Sequence, residues 1–156
     1  MQILGENLIS RYATRPGAYA DFYEVSVDGE PDLERFLRTF FDTWVFRLER
    51  RVLRLLKYER TDRADVLAIA AGKSDSFAAW EVEERREREV IFVFAPPMGR
   101  TWLGVSDAGG TKLQFGSALI PREGERLPWY VRATIPFHRL YSRTLLSAAA
   151  RAWSRG

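Results

Sequence analysis

The sequence predicts an α+β protein in which a curved antiparallel sheet wraps around one long C-terminal helix. Three observations support this prediction: helical patterns are grouped early in the chain, strand-like patterns are grouped after residue 76, and an amphipathic segment runs from Pro136 to Trp153. Helices and strands that are segregated along a chain are typical of α+β folds rather than of doubly wound sheets. A sheet arranged around a helix in this way can enclose an apolar cavity.

The first predicted elements are a strand and a helix. After a polar lead, residues 19–28 alternate in polarity, and Asp28-Gly29 indicates the turn that ends the strand. The face that we expect to be buried carries Tyr23, Val25 and Val27. Pro31-Asp32 then begins a helix with apolar side chains at spacings of three and four residues. This core-facing stripe consists of Leu33, Phe36, Leu37, Phe40 and Phe41.

Two further helices are predicted before the sheet continues. One begins near Thr43 or Trp44 and has an arginine-rich outer side. Its inner side carries Val45, Leu48, Val52, Leu55 and Leu56. The other runs from Thr61 to Ala71, and Gly72 follows it at the position where a left-handed residue is favoured.

From Ser76 apolar and polar residues alternate with a period of two, which indicates antiparallel strands with one solvent-exposed face. Strands are predicted over 76–83, 90–94, 101–106 and 111–119. Their connections are the charged run 84–89, the turn 96–99 and the hairpin turn Asp107-Ala-Gly-Gly110. A polar loop over 121–128 and a short extended piece from Tyr130 to Ala133 lead to the terminal helix.

Length and composition limit the classes of function. The chain has 156 residues and is 46% hydrophobic, so we expect one domain, residues 1–156, with a substantial core. There is no cysteine and a single histidine, His138, which excludes disulfides, thiolate metal sites and multi-histidine sites within one chain. We predict no cofactor, since Gly109-Gly-Thr-Lys112 lacks the spacing of a phosphate-binding loop.

The start of the chain has no secretory signal pattern, and its apolar runs are shorter than the roughly 18 residues of a membrane span. A soluble, cytoplasmic protein is therefore expected. Net charge is +3, and residues 132–155 carry five arginines and no acidic residue. We interpret the arginines as solvated helix faces and salt-bridge partners, and predict no nucleic-acid partner.

Several strings in the chain resemble those of a bacterial family of unknown function within or near the START-like, polyketide-cyclase-like (SRPBCC) superfamily. They are Phe46-Arg-Leu-Glu-Arg50, Phe77-Ala-Ala-Trp80, Arg100-Thr-Trp-Leu103, Phe115-Gly-Ser-Ala118 and Phe137-His-Arg-Leu-Tyr-Ser-Arg143. The resemblance implies the helix-grip fold of that superfamily, in which short helices after the first strand close one end of a hydrophobic chamber. Members of the wider superfamily bind lipids, sterols, hormones or polyketides, and some are cyclases or hydrolases. The narrower family brings no catalytic residue to this chain.

His138 is the first candidate for acid–base chemistry, because its ordinary pKa lies near neutrality. Tyr141 and Ser142 follow three and four residues later and share part of its helix face. A capping or packing histidine is the structural alternative. Ser142 is a weak candidate for a nucleophile, since a helix position offers no strained elbow or oxyanion donors.

Aromatic residues from successive strands are the candidates for binding an apolar ligand. They are Trp80, Phe92, Phe94, Trp102 and Phe115, with Tyr141 from the terminal helix. If they share one side of the sheet, they either fill the core or line a chamber.

An inward-pointing arginine is the candidate for orienting a carboxylate. Arg100, together with Arg47, Glu49 and Arg50, could hold such a ligand in bidentate fashion, or the set could form an Arg–Glu pair that ties the second helix to the sheet.

These observations lead to three hypotheses about function. The leading one is a protein that binds a small apolar or amphipathic molecule between the sheet and the terminal helix. The second is an enzyme of cyclase, hydratase or hydrolase type that uses His138 with Tyr141 or Ser142. The third is an interaction module whose arginine-bearing helices meet an acidic partner or a second copy of the chain, forming a homodimer.

Overall fold

A computed structural model of the chain describes residues 7–43, 47, 63–77, 80–94 and 98–156. The helices are α1 (Ser10–Ala13), α2 (Leu33–Phe41), α3 (Arg63–Ala70) and α4 (Trp129–Trp153). The strands are β1 (Tyr19–Ser26), β2 (Ser76–Phe77), β3 (Trp80–Arg85), β4 (Glu89–Phe94), β5 (Gly99–Ser106) and β6 (Lys112–Leu119). The predicted second helix, with Val45 and Leu48 on its inner side, falls almost wholly outside the described residues.

All six strands form one curved antiparallel sheet in the order β1-β6-β5-β4-β3-β2. The first strand pairs with the last, so α2 and α3 lie in the connection that carries the chain from β1 to the opposite edge of the sheet. Helix α4 packs against β1, β6 and α2. This topology confirms the predicted α+β, helix-grip fold.

The main core lies between the sheet and helix α4. From the sheet it receives Trp80, Phe92 and Phe115, which share one face as predicted. The helix contributes Leu145, Leu146, Ala148, Ala149 and Trp153. Burying each large apolar side chain stabilises the fold by about 1.5–3 kcal/mol.

The predicted apolar stripe of helix α2 is confirmed, since all five of its residues are buried. The carboxylate of Asp32 accepts a hydrogen bond from the backbone N–H of Arg35 at 3.0 Å and so caps the helix start. The stripe meets the sheet where the ring of Phe40 stacks on Phe115, with centroids 5.5 Å apart. After α3, Gly72 has a φ of +73°, which is the left-handed ending that the sequence predicts.

A second apolar cluster covers the other face of the sheet. Residues before β1 were predicted to be a polar lead, but Leu8, Ile9 and Tyr12 are buried there around helix α1. They pack on Ile91, Trp102 and Ala118. The prediction that Trp102 faces the terminal helix is therefore wrong. Trp102 alternates with Leu103 along β5, and Leu103 is the residue that points into the main core.

Two glycines, Gly104 and Gly116, lie directly against the indole of Trp102. A Cβ atom on Gly104 would lie 2.8 Å from Cζ2 of Trp102, and one on Gly116, its cross-strand partner, would lie 3.2 Å from Cε3. These glycines leave the space that the ring fills on the outer face.

Strand β3 contains a β-bulge between Val82 and Glu84. Beyond it, Arg85 stands opposite Val90 on the side of the main core. Its guanidinium donates hydrogen bonds to the carbonyl oxygens of Ile69 at 2.8 Å and Ala70 at 2.6 Å, which lie at the end of helix α3. Cations are favourable at helix C-termini, so this contact ties α3 to the sheet.

Helix α4 is longer than predicted. The segment from Tyr130 to Ala133, expected to be extended, is helical, and the helix begins at Trp129 rather than at Pro136. Proline is common in the first helical turn, which makes Pro136 a natural but wrong choice of start. In the interior a proline removes one backbone donor, and the helix continues through it here.

Candidate functional site

A pocket lies between the sheet, helix α2 and helix α4. Its volume is about 210 Å³. The walls are mostly apolar and come from Phe40, Phe41, Trp80, Phe94, Phe115, Leu119 and Leu145. Thr101, Ser117, His138 and Tyr141 also line it. Thr101 stands opposite Ser117 in the sheet, His138 contacts Ser117, and Tyr141 follows His138 by one helical turn, so these polar side chains form one side of the pocket. A pocket of this kind suits a small molecule with one polar group.

Behind the polar side of the pocket lies Asp21, whose side chain is 8% exposed. Its Oδ1 accepts hydrogen bonds from the backbone N–H of Ser117 at 3.0 Å and from the Ser117 hydroxyl at 2.9 Å. Its Oδ2 accepts from the phenol groups of Tyr19 at 2.9 Å and Tyr23 at 3.3 Å. Four donors thus surround one largely buried carboxylate, which is the usual condition for burying a charge.

Strand pairing produces this arrangement. Tyr19, Asp21 and Tyr23 alternate along β1 and therefore share the face that looks toward helix α4. Asp21 stands directly opposite Ser117 on β6. His138 reaches the same point from helix α4, and its Nε2 lies 2.8 Å from Oγ of Ser117.

Proton counting assigns the direction of the Ser117–His138 contact. The Ser117 hydroxyl has one proton, and it points to the carboxylate of Asp21, which can only accept. Nε2 of His138 must therefore carry the proton of the 2.8 Å contact and donate it to Ser117 Oγ. A serine hydrolase requires the opposite order, in which serine donates to histidine and the acid accepts from the other ring nitrogen. Ser117 is consequently not activated as a nucleophile.

The two tyrosines stay protonated at neutral pH. Burial, opposed by a hydrogen bond from Arg139 and assisted by Asp21, raises the pKa of Tyr19 to about 12. Burial and the charge of Asp21 also raise the pKa of Tyr23. Tyr19 accepts from Nε of Arg139 at 3.0 Å while donating to Asp21, so it links an exposed cation on helix α4 to the buried carboxylate.

The structure brings some of the predicted site residues together and separates others. Trp80, Phe115, Tyr141 and His138 line the pocket. Phe92 is fully buried in the core beside it and Trp102 lies on the far face of the sheet, so neither is in the lining.

Arg100 borders the pocket, but its guanidinium is held on the outer face. Nε of Arg100 donates to Glu83 at 2.6 Å, and the guanidinium lies 5.1 Å from the ring centre of Tyr12. Arg100 and Glu83 therefore form an ion pair within the sheet, which differs from the predicted alternative, an Arg–Glu pair tying the second helix to the sheet. Of the other members of that predicted set, Arg47 is exposed, and Glu49 and Arg50 lie outside the described residues.

Ser142 does not reach the pocket lining. Its side chain is fully buried, and its Oγ has no hydrogen-bond partner among the described residues. Among the described residues, no group of three or more His, Asp or Glu side chains is placed so that it could hold a metal ion. None of the described helices is long and apolar enough to cross a membrane.

The sequence interpretation missed Asp21 and Ser117. A signal was present, because Asp21 sits between Tyr19 and Tyr23 with the spacing of one strand face, and a carboxylate on an otherwise apolar face needs partners. Finding Ser117 required the register between β1 and β6, which is a long-range property.

No family model and no curated protein matches the chain. Among solved structures, the chain is similar to one described as "Crystal structure of Ara h 8.0201". The TM-score is 0.41, the identity is 9%, and the similarity covers 90% of this chain and 100% of that chain.

Proposed function

We propose that this protein binds a small amphipathic molecule in the pocket between the sheet and helix α4. The observation that carries the proposal is the pocket itself, with apolar walls and polar groups concentrated on one side. Its volume of about 210 Å³ lies below the range of about 300–1,000 Å³ that most small-molecule pockets have, so the ligand is compact. Rings such as Trp80 and Phe115 would contact its apolar body.

The polar side favours a neutral head group over an anionic one. Asp21 places a negative charge directly behind Ser117, and Oδ2 of Asp21 lies 3.9 Å from Nε2 of His138. A carboxylate in the pocket would be repelled by this charge, because Coulomb interactions are strong where water is excluded. A neutral hydroxyl or carbonyl group avoids this repulsion and can exchange hydrogen bonds with the hydroxyl of Thr101 in the lining.

Isothermal titration calorimetry tests this proposal. The neutral amphipathic molecule 1-octanol should bind with higher affinity than octanoate. Thr101→Phe would fill the pocket, because Thr101 is part of its lining, and should lower the affinity for 1-octanol by about tenfold. Thr134→Phe, the same change on an exposed part of helix α4, is the matched control. No binding of 1-octanol, or equal binding by the two variants, would refute the proposal.

A second candidate function is acid catalysis by His138 on the bound molecule. It is favoured by the position of His138 in the lining, because imidazole is the side chain that most often transfers protons in catalysis. Hydrolysis through a serine nucleophile is disfavoured by the order of donors described above. A fluorophosphonate probe should therefore leave Ser117 and Ser142 unlabelled, and labelling of either residue would contradict this assignment.

A further inference from the structure

The first turns of helix α4 extend beyond the core. Over residues 129–137 none is buried, whereas the later turns carry Leu145, Ala149 and Trp153 into the core. In and just after this stretch the helix exposes four large apolar side chains: Trp129 at 75%, Tyr130 at 58%, Phe137 at 75% and Leu140 at 66%. Four such side chains on one short segment form a patch rather than scattered surface residues.

These side chains share one side of the helix. At about 3.6 residues per turn, Trp129, Tyr130, Phe137 and Leu140 fall within roughly a third of the circumference, with Ala133 among them. The core-facing residues Leu146, Ala149 and Trp153 lie on the other side. The start of α4 therefore exposes an apolar face that the core does not cover.

The charge around the patch identifies the kind of partner. Helix α4 carries four arginines and no acidic residue, and two of the four, Arg139 and Arg143, lie over the rings of Tyr19 and Tyr23. Arg132, beside the patch, is exposed. Exposed tryptophan and tyrosine together with arginine are the residues that favour the boundary between lipid headgroups and acyl chains. We propose that this face of helix α4 docks on an anionic lipid bilayer surface, with Trp129, Phe137 and Leu140 inserted and the arginines against the headgroups.

A second copy of the chain is a poorer fit to the same face. Pairing two α4 helices would bring arginines together with no carboxylate from either helix to neutralise them. An anionic bilayer supplies the missing negative charge over the whole length of the patch. The proposal does not rest on the pocket, because neither Phe137 nor Leu140 lines it.

Vesicle co-sedimentation of the full chain tests the docking surface. We expect binding to vesicles of phosphatidylglycerol and phosphatidylcholine in equal parts, little binding to pure phosphatidylcholine, and weakening as salt is added. The double variant Phe137→Ser/Leu140→Ser should reduce binding by about tenfold or more. Leu67→Ser, at an exposed leucine on helix α3, is the control and should bind as the unaltered protein does.

Three results would overturn the proposal. The first is no binding to the anionic vesicles at low salt, and the second is equal binding by the double variant and the Leu67→Ser control. The third is a dimer in analytical ultracentrifugation that the double variant dissociates, with no vesicle binding, because a second copy would then cover the face. Circular dichroism spectra of the variants establish that they are folded.

Discussion

Ser117 on strand β6 and His138 on helix α4 meet with Oγ and Nε2 2.8 Å apart, and the carboxylate of Asp21 stands behind the serine. This contact joins the sheet to the terminal helix through polar groups at a point where the surroundings are otherwise apolar. The hydroxyl of Ser117 therefore links the sheet to helix α4 in addition to lining the pocket.

Replacing Ser117 by alanine should destabilise the fold. Asp21 would lose one of its donors while staying buried, and His138 would lose its acceptor, so we expect a loss of about 1–3 kcal/mol in the free energy of unfolding. Urea denaturation measures this loss. Ser147→Ala, at an exposed position of helix α4, should change stability by less than about 0.5 kcal/mol, and a similar change in both variants would contradict the prediction.

The tautomer of His138 is a second prediction. Because Ser117 gives its proton to Asp21, the neutral imidazole should carry its proton on Nε2. Long-range ¹⁵N–¹H correlation spectra distinguish the two ring nitrogens, and with a single histidine in the chain the assignment needs no mutant. Finding the proton on Nδ1 would show that Ser117 donates to histidine instead.

The raised pKa of Tyr19 leads to a prediction about how the stability of the fold changes at alkaline pH. Its pKa is raised from an ordinary 10.0 to about 12, so between those values the folded state keeps a proton that the unfolded state has lost. Stability should therefore fall as pH rises from about 10 to about 12, and Tyr19→Phe should make that fall shallower. Denaturant midpoints at pH 9 and pH 11.5 measure the difference. Tyr130→Phe, at an exposed tyrosine, is the matched control.

Glu89 anchors the segment before β1 to the outer face. Its Oε2 accepts from the backbone N–H of Leu8 and from Nε1 of Trp102, both at 2.8 Å. Glu89→Ala should cost about 2 kcal/mol and make the chain near Ser10 more susceptible to proteases. Glu87→Ala, at an exposed position in the same turn, is the control. Unchanged proteolysis of Glu89→Ala would show that the apolar contacts of Leu8 suffice.

Gly104 should tolerate no side chain. An added Cβ would lie 2.8 Å from Cζ2 of Trp102, so Gly104→Ala forces the buried ring to move and should cost about 1–3 kcal/mol. Thermal unfolding followed by near-ultraviolet circular dichroism reports both stability and the environment of the tryptophans. Gly156→Ala at the chain end, where the nearest atom would be 3.9 Å away, is the control. A stable Gly104→Ala variant with an unaltered spectrum would contradict the described packing.

Local patterns were sufficient to predict most of the fold. The stripe from Leu33 to Phe41 has a helical period and a capping aspartate, and the turn before Thr111 has two glycines with φ of 77° and 103°. Such signals depend on neighbours in the chain, so a single sequence contains them. The alternation of Leu103 with Trp102 was also present, and applying it to β5 would have placed the indole on the outer face.

The candidate site depended on contacts between distant residues. Asp21 meets Ser117 across 96 positions and His138 lies 21 positions beyond Ser117, so only the strand register and the packing of α4 reveal the group. The start of helix α4 was missed for a different reason. Its first turns face away from the core, so no buried stripe marks them as helical.

The single extra residue in strand β3 determines which charge faces helix α3. Were the ladder regular beyond Val82, Glu84 rather than Arg85 would stand opposite Val90, and a carboxylate would be turned toward the carbonyl oxygens of Ile69 and Ala70. Repulsion would replace attraction at that junction. The bulge in β3 therefore determines whether the β3–β4 hairpin and helix α3 attract or repel each other.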